Sequence, residues 1–74
     1  MANKIQHFRI RFVADAGSAY GTDMNTGEEV FINSSITDAM GIQMGDLVKA
    51  AVIPNNKSEE VEWYALIAEL VEED

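Results

Sequence analysis

Cysteine is absent from this 74-residue chain, which excludes a disulfide framework and any thiolate metal site. A single histidine, His7, leaves zinc without a ligand set, so neither a metal nor a cofactor is expected. Apolar residues make up 47% of the chain, yet no apolar run approaches the ~20 residues a bilayer requires. No membrane partner is expected. The N-terminal MANKIQHFRIRF alternates instead of forming a solid hydrophobic block, so it does not read as a signal peptide and a cytoplasmic location is the expectation. Basic side chains are also scarce: five Lys and Arg stand against thirteen Asp and Glu, for a net charge of −8. Taken alone this disfavours polyanions, whose binding draws on clustered Lys and Arg. The distribution is uneven, however. Lys4, Arg9, Arg11 and His7 fall in the first strand, whereas Glu59, Glu60, Glu62, Glu69, Glu72, Glu73 and Asp74 load the last quarter. Salt screens exposed charges from one another beyond ~8 Å under physiological conditions, so a local positive strip can coexist with an acidic whole.

What is present is strand periodicity in a chain long enough for one domain, residues 1–74, with one modest core. Residues 5–13 alternate, with Phe8, Ile10 and Phe12 on one parity and Arg9 and Arg11 on the other, the pattern of a strand with one wet face. Ile5 is grouped with the apolar side. A turn at Asp15-Ala16-Gly17-Ser18 leads to a second strand over 19–24. Asn25-Thr26-Gly27-Glu28 makes a tight hairpin with Gly27 at positive φ. The third strand, 29–33, points Val30 and Ile32 inward and Phe31 and Asn33 outward. Ser35-Ile36-Thr37-Asp38 reads as a capped helix start that Gly41 ends after about one turn. A fourth strand covers 47–53, followed by a polar loop over 54–58. Residues 61–71 have helical propensity through Ala, Leu and Glu, but Trp63-Tyr64 and the need for a fifth strand favour β. Glu72, Glu73 and Asp74 are expected to fray. The fold class is therefore all-β: a small five-stranded OB-type barrel with a short helical turn between strands three and four. Barrel closure suits so short a chain because it removes exposed sheet edges.

Four segments resemble the cold-shock domain. Glu28-Glu29-Val30-Phe31-Ile32-Asn33 is similar to that family's acidic hairpin end followed by Val-Phe-Val-His. Ala19-Tyr20-Gly21-Thr22 resembles its Gly-Phe-Gly-Phe strand, Arg11-Phe12 its Lys-Trp pair, and Gly45-Asp46-Leu47-Val48 its Gly-x-x-Val. The similarity spans 8–53. Thr22 stands where the family has a stacking Phe, Asn33 where it has His, and Ser34 where it often has another Phe. A weaker resemblance is to the bacterial translation initiation factor 1 class of OB domains, in length and in the Gly-Asp-x-Val turn. The cold-shock resemblance implies a cold-shock-like barrel that binds single-stranded RNA or DNA.

On that reading Tyr20 and Phe31 stack on bases, Arg9 and Arg11 neutralise phosphates, and Asn33 meets a base edge. The family comparison also exposes Phe12, whereas strict alternation buries it with Phe8 and Ile10. Exposure would require a bulge in the first strand. Asn33 can equally end its strand by bonding its own backbone, and Arg9 and Arg11 can serve only to solvate a strand and pair with carboxylates. Trp63 reads as core or rim packing. Asp23-Met24-Asn25-Thr26-Gly27-Glu28 has its Gly misplaced for a calcium loop and lacks the Glu at the twelfth position. No nucleophile with a base partner is visible, so neither an enzyme nor a small-molecule substrate is expected. The alternative is an acidic interaction module that keeps the barrel and binds a basic protein.

Overall fold

The computed structural model describes residues 4–57 and 60–72. Residues 1–3, loop residue Ser58, acidic Glu59, and the expected fraying of Glu73 and Asp74 lie outside the described residues. Five strands and one helix follow in order: β1 (Lys4–Val13), β2 (Ala19–Thr22), β3 (Glu29–Ile32), α1 (Ser34–Met40), β4 (Leu47–Pro54) and β5 (Trp63–Leu70). They close into a barrel in the order β1-β2-β3-β5-β4, which fits an OB-type arrangement. All pairings are antiparallel except β3 with β5, where Val30 meets Trp63 and Phe31 meets Tyr64 in parallel register. Among the described residues no helix is long and apolar enough to cross a membrane.

The interior follows from alternation. Phe8, Ile10, Ala19, Val30, Ile32, Val48, Ala50, Val52, Ala65 and Ala68 are buried together, with Ile42 beneath the helix end. Each Å² of apolar surface buried in this cluster contributes ~25 cal/mol. Ile5 does not join it. The residue is 64% exposed, because Gln6, Phe8 and Ile10 take the inward parity of β1 and Ile5 lies on the other.

β1 serves two neighbours. Lys4 to Arg9 pair with β4, and Arg9 to Val13 pair with β2. The register with β2 shifts between Ile10 and Phe12, so that Ile10 faces Gly21 and Phe12 faces Tyr20, with Arg11 as the extra residue. A bulge of this kind reverses the parity of everything after it. Strict alternation would bury Phe12; the bulge leaves it 48% exposed. A second shift, between Ala51 and Val52 against β5, leaves Leu66 without a partner in the ladder.

Several expected boundaries move. β2 ends at Thr22, not Met24, because Asp23 turns into the hairpin: its side chain accepts from Asn25 N at 2.8 Å and its carbonyl from Gly27 N at 2.7 Å. Gly27 has φ 81°, as the turn requires. β3 ends at Ile32, because Asn33 is the N-cap of α1 and its Oδ1 accepts from Ile36 N at 3.0 Å. The helix thus begins at Ser34 instead of after Ser35, and runs seven residues, about two turns. Gly41 ends it in the left-handed conformation, at φ 66°. β5 is two residues shorter at its start than the expected strand and one shorter at its end.

Candidate nucleic-acid interface

Phe12 and Tyr20 are partners in the β1–β2 ladder, Tyr20 and Phe31 in β2–β3, and Phe31 and Tyr64 in β3–β5. Four aromatic residues on four successive strands therefore share one cross-strand row, and Ile53 on β4 continues it. Strands in a sheet lie ~4.8 Å apart, and the ring spacing follows. Centroids are 6.1 Å apart for Phe12–Tyr20, 5.4 Å for Tyr20–Phe31 and 5.8 Å for Phe31–Tyr64. Phe31 and Tyr64 are nearly parallel, at 20°, whereas Tyr20 meets Phe31 edge-on at 66°. Tyr20, Phe31 and Tyr64 are half-buried, and all three line one surface cavity.

The predicted site residues divide. Phe12, Tyr20 and Phe31 come together in the row. Asn33 lies just past it, with Oδ1 used by the helix cap and Nδ2 donating to the Tyr64 hydroxyl at 3.2 Å. Arg11, the bulge residue, forms an ion pair with Glu29 on β3 at 2.5 Å. The two share a shallow cavity with Phe12, Tyr20, Glu60 and Val61. Arg9 is outside the aromatic row: it pairs in register with Thr22 and Leu47, and its Nη1 donates to Gly45 O at 2.9 Å. The expected basic strip on β1 is thus interleaved with carboxylates.

Tyr64 is the residue the sequence reading missed. Its neighbour Ala65 is buried in the core, and in a strand the adjacent residue faces the other way. Placing Ala65 inside would have put Tyr64 on the same face as Phe31. Trp63 packs against the rim of the core, and its Nε1 donates to Glu28 Oε1 at 3.1 Å.

No protein-family model, curated protein or solved structure matches this chain.

A polar network borders the row at one end of the barrel. Buried Gln6 donates through Nε2 to Asp23 Oδ2 at 2.7 Å and to Glu28 Oε1 at 3.1 Å, while its own Oε1 is buried without a partner. The Gln6 hydrogen bond, with backbone donors from Asn25 and Thr26 and the Lys4 charge, holds the Asp23 carboxyl below its ordinary value. The Trp63 indole, then Gln6, Lys4 and Thr26, do the same for Glu28. In both, partial desolvation opposes the shift and is outweighed. Lys4 Nζ lies 4.9 Å from the Trp63 ring centroid. Both carboxylates are thereby committed to hydrogen bonds that order the β2–β3 hairpin. Among the described residues no group of three or more His, Asp or Glu is arranged to hold a metal ion.

Proposed function

We propose that this barrel is a non-catalytic, cytoplasmic binder of single-stranded RNA or DNA, cold-shock-like in its use of a strand-borne aromatic surface. One observation carries the reading: Phe12, Tyr20, Phe31 and Tyr64 stand in register on four adjacent strands. Every base has a π-face, so a row of rings takes successive bases with little regard to sequence. Cations contribute less. Arg11 is held by Glu29 and Arg9 reaches Gly45 O, so about one or two phosphates are neutralised. The slope of log K against log salt should then be shallow, about −0.7 to −1.4, and affinity modest.

Titration of the chain with oligo-dT and oligo-U, followed by amide shifts, tests this directly. Perturbations should concentrate on the row, and Phe31→Ala should weaken binding by about 1–3 kcal/mol. A wild-type spectrum unmoved by millimolar oligonucleotide would end the reading.

Glu29 and Glu60 beside Phe12 and Tyr20 favour a second reading, in which the same face receives a basic protein segment. Competition between an Arg- and Lys-rich peptide and oligo-dT separates the two. Under the second reading the peptide displaces the oligonucleotide, and Glu60→Lys and Glu62→Lys abolish its capture.

A further inference from the structure

The surroundings of the aromatic row are not the same at its two ends. Beside Phe12 and Tyr20 the shallow cavity includes Glu29 and Glu60. At the other end a cavity of about 350 Å³ is lined by Tyr20, Phe31, Tyr64, Val61, Asn55 and Lys57, with a lysine and no carboxylate among the described lining residues. That volume falls within the ~300–1,000 Å³ range of small-ligand sites. A second hollow, of about 290 Å³, lies against Tyr64 and again includes Asn55 and Lys57. Tyr64, Asn55 and Lys57 are therefore common to two concave spaces.

This end is held by several specific contacts. Asn33 Nδ2 holds the Tyr64 hydroxyl at 3.2 Å, and Phe31 lies alongside the ring. The segment after β4 is fastened by Asn55 N donating to Glu62 O at 2.9 Å, and by Lys57 N donating to Asn55 Oδ1 at 3.2 Å. A ring held from two sides loses little freedom when a base settles on it. Lys57 lines the same cavity as that ring, and its ammonium group offers a contact to the phosphate of the same nucleotide.

Building on the nucleic-acid reading above, we infer that Tyr64, Asn55 and Lys57 form the leading nucleotide subsite of the row. The base stacks on Tyr64, its phosphate meets Lys57, and Asn55 offers its amide to the base or the sugar. The strand is engaged here first and then extends over Phe31 and Tyr20 toward the acidic end, where phosphates are disfavoured. This makes the row polar: short ligands occupy one end of it, and length adds contacts in one direction.

The test is an amide-shift titration of the full chain with thymidine oligonucleotides, from dinucleotide to hexanucleotide. The dinucleotide should move Asn55, Lys57, Tyr64 and Phe31, and Phe12 should respond only to longer ligands. Tyr64→Leu should weaken dinucleotide binding about five- to one-hundred-fold, whereas Tyr64→Phe keeps the ring and retains binding. Lys57→Gln, at an exposed position, should weaken every length and reduce the salt slope by about 0.7; it carries the test if Tyr64→Leu fails to fold. Dinucleotide shifts gathered at Phe12, with Tyr64 and Lys57 silent, overturn the leading subsite and leave the aromatic row standing. Equal shifts with inorganic phosphate reduce the site to a simple anion contact and likewise overturn it. Failure of every length to bind the folded wild type removes both readings together.

Discussion

Gly21 is buried on β2, next in sequence to Tyr20 of the aromatic row. A Cβ added there would come within 3.1 Å of Phe8 Cβ, 3.2 Å of the Arg9 carbonyl oxygen and 3.3 Å of Ile10 Cδ1. Two of those atoms are fixed by the β1 backbone, so the strand cannot give way by rotating a side chain. Gly21→Ala is expected to destabilise the barrel by about 1–3 kcal/mol through overpacking, read as a lower urea midpoint at unchanged slope. A neutral substitution would show that β1 and β2 approach less closely than described. Asn33 shows how far single residues were legible. Its outward position was visible in the alternation of the third strand, but its two polar ends were already committed. One caps α1 and the other fastens Tyr64, a partner 31 residues away that no local pattern reveals.

The hairpin joining β2 to β3 owes its order to Asp23, whose two carboxylate oxygens accept from Gln6 and from the Asn25 and Thr26 amides. Its folded-state carboxyl titrates below the ordinary 3.8. The associated stabilisation is complete above that pH and is withdrawn as pH falls through the folded value. Urea midpoints followed from about pH 5 to about pH 2 should therefore fall with acidity. Asp23→Asn should be less stable at neutrality, because its amide would face the Gln6 donor, and should show a weaker acid dependence. An identical profile for the two proteins would remove Asp23 from the account. At this scale the sequence was informative wherever one strand face meets the core, as in β1 and β3, and around the hairpin glycine. It was less so where two signals competed. The 61–71 segment carried helical composition, and only its parallel pairing with β3, together with its long antiparallel ladder to β4, settles it as a strand. Strict alternation misplaced Phe12 because period two has no provision for an inserted residue.

For the molecule as a whole, net charge and binding surface pull in opposite directions. Thirteen carboxylates against five cations repel a phosphate backbone at distance, and Glu29 occupies the one arginine that reaches the aromatic row. Glu29→Gln is expected to release Arg11, strengthen oligo-dT binding several-fold and steepen the salt slope by about 0.7, measured by titration at several salt concentrations. Weaker binding in this variant would instead mean that the ion pair is needed to hold Arg11 in a productive position. The extra residue at position 11 has a consequence at this scale too. It works as a phase shifter within a single strand. Upstream of it Gln6, Phe8 and Ile10 face the interior and make the strand a structural stave. Downstream the same parity faces outward, so the stave ends as part of the contact surface. One unpaired residue thus lets ten consecutive positions do two jobs, and a chain of this length has few other places to find a fourth ring.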